Sequence, residues 1–297
     1  MRPVWEARAL LGEGMCWSPA SESLYWVDIH GQRLMRLHPG TGERRDWGFD
    51  ETISAVAERT GGRGLVVALQ RGPAFFDPAT GALQRLPEPE PHLPGNRFND
   101  GKCDPRGRFW AGTMDVGCKA PTGSLYCLHP GGDPSGADAR LACAWAANFA
   151  VVNGPAWSPD GRTIWVNETA RGLVHRAGFD VDTGALHEPR AWLRLAKGDG
   201  YPDGMTTDRD GRLWIAHWAG ACVSCHAPDD GRELARLPLP TSNVTNVAFG
   251  GPGLRTLYIT TAAGDLSDEQ RAAEPLAGAL FAAETDAQGL TAAMFNG

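Results

Sequence analysis

A chain of 297 residues has room for one large domain or two ordinary ones, and its 42% apolar and 21% charged residues are typical of a globular protein. A formal net charge of −7 argues against a nucleic-acid-binding surface, which needs concentrated positive charge. No window approaches the ~18 consecutive apolar residues of a membrane span, so neither nucleic acid nor membrane is expected as a partner.

The N-terminal MRPVWEARALLGEG has an Arg but no apolar h-region, so no secretory signal is expected. Seven cysteines, an odd number irregularly spread, suit a reducing cytoplasm better than a disulfide framework. From there a turn followed by an apolar or aromatic strand recurs six times. The members are SPASESLYWVD (18–28), ERTGGRGLVVAL (58–69), DPRGRFWAG (104–112), SPDGRTIWVNE (158–168), DRDGRLWIAHW (208–218) and GGPGLRTLYIT (250–260). Trp26 to Tyr258 spans 232 residues over five intervals, about 46 per repeat, within the range of propeller blades. A second turn series is interleaved with the first: HPGTG (38–42), DPATG (77–81), HPGGD (129–133), DVDTG (180–184), APDDG (227–231) and ETDAQG (284–289). Two hairpins per repeat and no amphipathic helix of ordinary length predict an all-β fold, a six-bladed β-propeller forming one closed domain over 1–297.

One cysteine pattern lies inside the fifth repeat. Cys222-Val223-Ser224-Cys225-His226 matches C-x-x-C-H, the c-type haem attachment signature. No export signal accompanies it, it falls where a strand is expected, and a zinc site would lack two ligands. It is read as strand residues beside a His, and no haem is expected.

The repeat allows the blades to be superimposed as sequence. Five residues before each turn of the first series stand Glu13, Ile53, Asn99, Asn153, Asp203 and Thr245. Four of the six carry a carboxylate or carboxamide, and Gly follows directly in EGM, NGP and DGM. The first strand of each propeller blade lines the channel, so one phase of that strand predicts a ring at one level. Its donors are all oxygen, which suits Ca²⁺, Mg²⁺ or Mn²⁺. Two carboxylates in an apolar channel would repel each other and resist desolvation, and a cation resolves that conflict. Arg97 lies two residues before Asn99, on the same side of a strand, and suits sugar hydroxyls or a carboxylate product. Asp100 reads equally as a residue behind the ring or as a turn residue. Asp28, Glu168 and His217, at the ends of first-series strands, are read first as structural.

These stretches, LGEGMCWSP, NRFNDGKCDPRGRFWAGTM, NGPAWSPDGRTIW, YPDGMTTDRDGRLWIAHWAG and FGGPGLRTLYITTA, resemble in order the SMP-30/gluconolactonase/regucalcin family, over roughly residues 11–282. The C-terminal LSDEQRAAEPLAGALFA looks more like the family's bacterial sugar lactonases than its animal members. The resemblance implies a six-bladed propeller with one divalent cation, Ca²⁺ first and Mg²⁺, Mn²⁺, Zn²⁺ or Fe as alternatives. It implies a hydrolase of carboxylic esters, acting on a small-molecule aldonolactone in carbohydrate metabolism. The metal ligands would be Glu13, Asn153 and Asp203; Arg97 and Asn99 would bind substrate. Two departures are Met15, where the family has Pro, and Gly117, near which animal members place a substrate-contacting Glu. Asp203 is the expected acceptor of the proton from the attacking water. Rival readings are a phosphotriesterase-like hydrolase and a non-catalytic calcium-binding propeller.

Overall fold

Four of the six turns of the first series are built around one polar side chain each. In the computed structural model, which describes residues 1–133, 135, 136 and 138–297, Asp104 Oδ1 accepts the backbone N–H groups of Arg106 and Arg108 at 2.9 and 3.1 Å. Its Oδ2 accepts Trp110 Nε1 at 2.8 Å and the Arg108 guanidinium. Asp208 repeats the device with Asp210, Arg212 and Trp214. Where Ser18 and Ser158 replace the Asp, a hydroxyl accepts one turn N–H instead, from Ser21 at 3.2 Å and Thr163 at 3.0 Å. Short polar side chains that mimic a backbone turn explain why a strand restarts directly after each.

Six four-stranded antiparallel sheets result. Their inner strands are Gly12–Ser18, Ile53–Glu58, Asn96–Cys103, Val152–Trp157, Tyr201–Thr207 and Val244–Gly250, in blades one to six. Each inner strand contacts that of the next blade and the sixth contacts the first, which closes the ring of the six-bladed propeller. Aromatic side chains fill the wedges between blades: Trp17 stacks on Tyr258 at 5.9 Å, Trp110 meets Trp157 edge-on at 6.1 Å, and Trp214 meets Phe249 at 5.8 Å. Edge-to-face and stacked pairs add packing specificity beyond the area they bury.

Blade six departs from the two-hairpin expectation. Its strands Val244–Gly250, Thr256–Thr261 and Leu280–Glu284 are completed by Arg2–Trp5, with Arg2 opposite Ala282. The ETDAQG turn therefore leads to no outer strand. Pairing the chain's two ends inside one blade leaves no open seam in the ring. The tail instead crosses the lower face: Gln288 O accepts Arg209 N, Gly289 N donates to Leu254 O, Phe295 N donates to Glu58 O and Asn296 N to Gly107 O. One short helix, Asp268–Ala273, carries a capping box between Ser267 and Gln270. No helix among the described residues is long and apolar enough to cross a membrane.

Every inner strand slips register against its neighbour at the same phase. The slips fall between Glu13 and Cys16, Ile53 and Ala55, Phe98 and Gly101, Asn153 and Ala156, Pro202 and Met205, and Val244 and Asn246. A bulge adds a residue and re-aims side chains, so the residue after each of these positions can also face the channel.

The turn device is strong enough to test. Arg108 also donates to Val181 O and Asp182 O of blade four, yet its charge and the Trp110 indole N–H both depend on Asp104. Replacing Asp104 with Ala should cost about 3–5 kcal/mol, as expected for leaving a buried charge uncompensated. Ser158→Ala should cost about 1–2 kcal/mol, the loss of ordinary hydrogen bonds with Thr163 N and the exposed Asp160 carboxylate. Equilibrium denaturation in urea measures both; equal losses would contradict the roles assigned to the two turns.

Candidate functional site

The upper half of the channel is where the bulges deliver polar side chains. Glu13, Asn99, Asn153 and Asp203 are all buried there, at 3–5% exposure. The other two members of that phase, Ile53 and Thr245, are buried as well, and Thr245 turns its hydroxyl to Gly12 O and Thr260. Blade six contributes the next residue instead. Asn246 Nδ2 donates to Glu13 Oε2 at 2.8 Å and to Asp100 Oδ2 at 3.3 Å.

The second bulge position thus forms its own layer, Gly14, Ser54, Asp100, Gly154, Gly204 and Asn246 around the blades. Its three glycines let the next blade approach closely, Gly154 facing the Met205 methyl at 2.7 Å from where a Cβ would sit. A Cβ on Gly204 would lie 2.3 Å from Asn246 Nδ2, and one on Gly14 2.5 Å from Ser54 O. Asp100 resolves to this layer rather than to a turn: its oxygens accept Gly101 N at 2.8 Å and Gly154 N at 3.1 Å.

A directional hydrogen-bond chain orients the carboxamides. Arg97 Nη1 donates to Asn99 Oδ1 at 2.7 Å, Asn99 Nδ2 to Asn153 Oδ1 at 2.8 Å, and Asn153 Nδ2 to Thr169 Oγ1 at 2.9 Å. The Thr169 hydroxyl has one hydrogen, which it gives to Pro202 O at 2.7 Å. It can therefore only accept from Asn153, so the amide nitrogen must face Thr169 and Oδ1 must face the ring. Arg97 and Asn99 share a side, as their spacing predicts.

Electrostatics add a demand for positive charge. The Glu13 carboxyl is pushed well above its ordinary range by burial first, then by the charges of Asp203 and Asp100. Asp203 is likewise pushed up by burial and by Asp100, against contact with Glu13, the charge of Arg97 and the Gly204 N–H. Asp100 is raised to about 6 by burial, against the pull of Lys102. Buried carboxylates that repel one another bind protons unless a cation replaces them. The Oδ1 atoms of Asn167 and Asn246 are also buried with no hydrogen-bond partner among the described residues. Asn167 Nδ2 meanwhile holds the Asp203 carbonyl. Among the described residues no group of three His, Cys, Asp or Glu side chains is arranged to hold a metal ion. A cation here would rely on carboxamide as well as carboxylate oxygen, and that donor set fits a hard divalent ion.

The strand-end residues do other work. Asp28 accepts Leu11 N and Gly31 N and pairs with Arg33, and Glu168 accepts Ala150 N and Val151 N. His217 contacts Asp199 O and, through Ser224 Oγ, His226, whose Nδ1 contacts Gly231 O. The C-x-x-C-H stretch is the buried strand Cys222–His226, its His engaged in that chain of contacts. Asp115 is occupied in its own loop, where the N–H groups of Ala120 and Lys119 hold it below the usual carboxylate range, and it is the side chain nearest Gly117. Below the ring, on the far side of Lys102, lies a cavity of about 490 Å³ bordered by Trp17, Trp157, Phe249 and the crossing tail.

Fold and site together define a propeller whose channel gathers hard oxygen donors at one level. Residues 11–263 match the family described as SMP-30/Gluconolactonase/LRE-like region, and the chain belongs to that family. It is 35% identical over 294 residues to the L-arabinolactonase of Azospirillum brasilense, covering 98% of this chain and 94% of that one. It is 36% identical over 291 residues to the 6-deoxy-6-sulfogluconolactonase of Pseudomonas putida, covering 97% and 96%. The solved structure of regucalcin from Agrobacterium tumefaciens, described as a calcium-binding protein, is similar with a TM-score of 0.92 at 29% identity, over 99% of this chain and 96% of that one.

Proposed function

We propose that this propeller hydrolyses a sugar lactone to its aldonic acid, a carboxylic-ester hydrolysis, with one divalent cation held by Glu13, Asn153 and Asp203. The observation that carries the reading is their convergence: blades one, four and five each bury one oxygen donor at one level, and the Thr169 hydroxyl turns the Asn153 oxygen inward. The names of the lactonase relatives support the substrate class. Carboxylate and carboxamide oxygens favour Ca²⁺, with Mg²⁺ and Mn²⁺ next. Seven free thiols suit a reducing compartment, and the cytoplasm is the proposed location.

When bound, the cation supplies Lewis-acid polarisation of the lactone carbonyl and stabilises the developing oxyanion. Asp203 takes the proton of the attacking water as the new C–O bond forms, and returns it to the ring oxygen as the old C–O bond breaks. Burial raises its proton affinity, which suits a base better than an ordinary exposed carboxylate. Arg97 spends Nη1 on Asn99 Oδ1 and Phe98 O; the remaining N–H donors of the fork hold ring hydroxyls. Asn99 transmits that orientation to Asn153.

Asp203→Ala should lower kcat by on the order of 10³-fold or more, since it removes both a base and a ligand. Near-normal turnover would refute its assignment. Thr169→Val frees the Asn153 amide to turn, and divalent-cation affinity measured calorimetrically should fall about 10–100-fold, as for other partners that orient metal ligands. The deciding experiment is acid release from a panel of pentono- and hexonolactones, with and without chelator. Chelator-sensitive hydrolysis is the expected result. Turnover of phosphotriesters alone would favour the phosphotriesterase-like alternative, and bound metal with no turnover a calcium-binding propeller.

A further inference from the structure

Blade five carries two buried imidazoles that the proposed chemistry leaves unused. Ser224 and His226 share one face of the strand Cys222–His226, and His217 comes from the neighbouring strand Leu213–Trp218. His217 and Ser224 are fully buried and His226 is 3% exposed. The three form one continuous chain. His217 Nδ1 lies 2.7 Å from Asp199 O, and its Nε2 lies 2.6 Å from Ser224 Oγ. Ser224 Oγ lies 2.7 Å from His226 Nε2, and His226 Nδ1 lies 2.8 Å from Gly231 O.

Hydrogens can be counted along this chain. All four contacts are of hydrogen-bond length, so each needs one hydrogen between its two atoms. A ring turned over would put a carbon at one of these distances, whereas C–H···O contacts need about 3.3–3.6 Å. The two carbonyl oxygens bring no hydrogen, and two neutral imidazoles with one hydroxyl bring three between them. Four contacts and three hydrogens leave one pair of lone pairs face to face. One further proton completes the set: each Nδ1–H donates to its carbonyl, one Nε2–H donates to Ser224 Oγ, and the hydroxyl donates to the other Nε2. We infer that this chain is a proton-operated latch: at neutral pH it holds one excess proton taken from solvent, as an imidazolium at one of its two rings, and it opens one contact when that proton leaves. When closed it ties the segment before the inner strand Tyr201–Thr207, through Asp199, to the outer turn at Gly231.

The charged side chains acting on the rings are Asp199, Glu233 and Arg236. The Cys222 thiol on the same strand face is pushed up by burial and stays neutral. Burial is the largest influence and pushes both rings down, with Arg236 adding to it. Against this, Asp199 pulls His217 up and the Gly231 carbonyl and Glu233 pull His226 up. Arg236 is itself paired with Glu233 at 2.7 Å and with Asp199 at 3.3 Å, which weakens its opposition. An imidazolium in the closed chain has both N–H groups bonded, whereas the neutral chain keeps a buried contact unmade, and that difference decides for the proton. Repulsion between the rings admits only one excess proton.

The test is nitrogen-15 NMR of the full chain labelled in histidine, with His217→Gln and His226→Gln assigning the two rings. At pH 7 the two rings together should carry three ring protons, one more than two neutral imidazoles. Ser224→Ala removes the relaying hydroxyl, and its rings should carry two. His226→Gln supplies the missing hydrogen from its own amide, so His217 should there be neutral, protonated at Nδ1. Circular dichroism confirms that each variant is folded. A chain that binds its proton more tightly when folded contributes stability below the unfolded histidine value of about 6.5, and loses it as pH rises through the folded value. The melting-temperature advantage of the wild type over Ser224→Ala should therefore shrink between about pH 6 and about pH 9, which a merely structural bridge would not produce. Should Ser224→Ala fail to fold, the wild-type count and His226→Gln carry the test. Two ring protons at pH 7 in the wild type overturn the inference. So does a charged His217 in His226→Gln, or a melting-temperature advantage that holds or grows with pH.

Discussion

Three buried carboxylates, from blades one, three and five, share one channel, and the rest of the structure answers to that crowding. Glu13, Asp100 and Asp203 cannot all remain ionised in a dry channel without compensation. The molecule supplies part of it from Lys102 below, Arg97 above and the Asn246 amide between Glu13 and Asp100. What remains is a deficit of positive charge at one level, surrounded by oxygen atoms. The proposed cation answers that deficit from within the closed ring.

The fold bears this load through repetition. Six bulges at one phase re-aim the inner strands, and glycine at the second position in blades one, four and five lets the neighbouring blade approach, against Ser54 O, the Met205 methyl and the Asn246 amide. The turn carboxylates Asp104 and Asp208 lock the following strands, and Arg108 ties blade three to blade four. The Arg2–Trp5 strand ties the start of the chain to the last blade, whose inner strand packs directly on that of the first. Lys102 borders the lower cavity.

Much of this was legible before any coordinates. The spacing of the turns specifies the number of blades, because each hairpin needs its own turn chemistry. Glu13, Asn99, Asn153 and Asp203 share a phase in sequence and a level in space. Asn246 escaped the same count because the bulge in blade six brings the residue after Thr245 to the axis, and a one-residue slip in a strand changes the face. Thr169, Asn167 and Lys102 carry no repeat signature at all. They matter through bonds to Asn153, Asp203 and Met205, residues far away along the chain. The second-series turn at 284–289 looked equivalent to the others because local turn chemistry does not reveal which strand will complete a blade.

The sequence by itself determined the all-β architecture, the sixfold repeat and the oxygen character of the ring, because these follow from local turn preferences, strand periodicity and side-chain chemistry. Only the tertiary structure decided which end of the chain closes the last blade, which face of the Asn153 amide looks inward, and how many charges meet in the channel. Those outcomes depend on contacts between blades, where hydrogen-bond direction and electrostatic balance are set by neighbours that the linear order keeps apart.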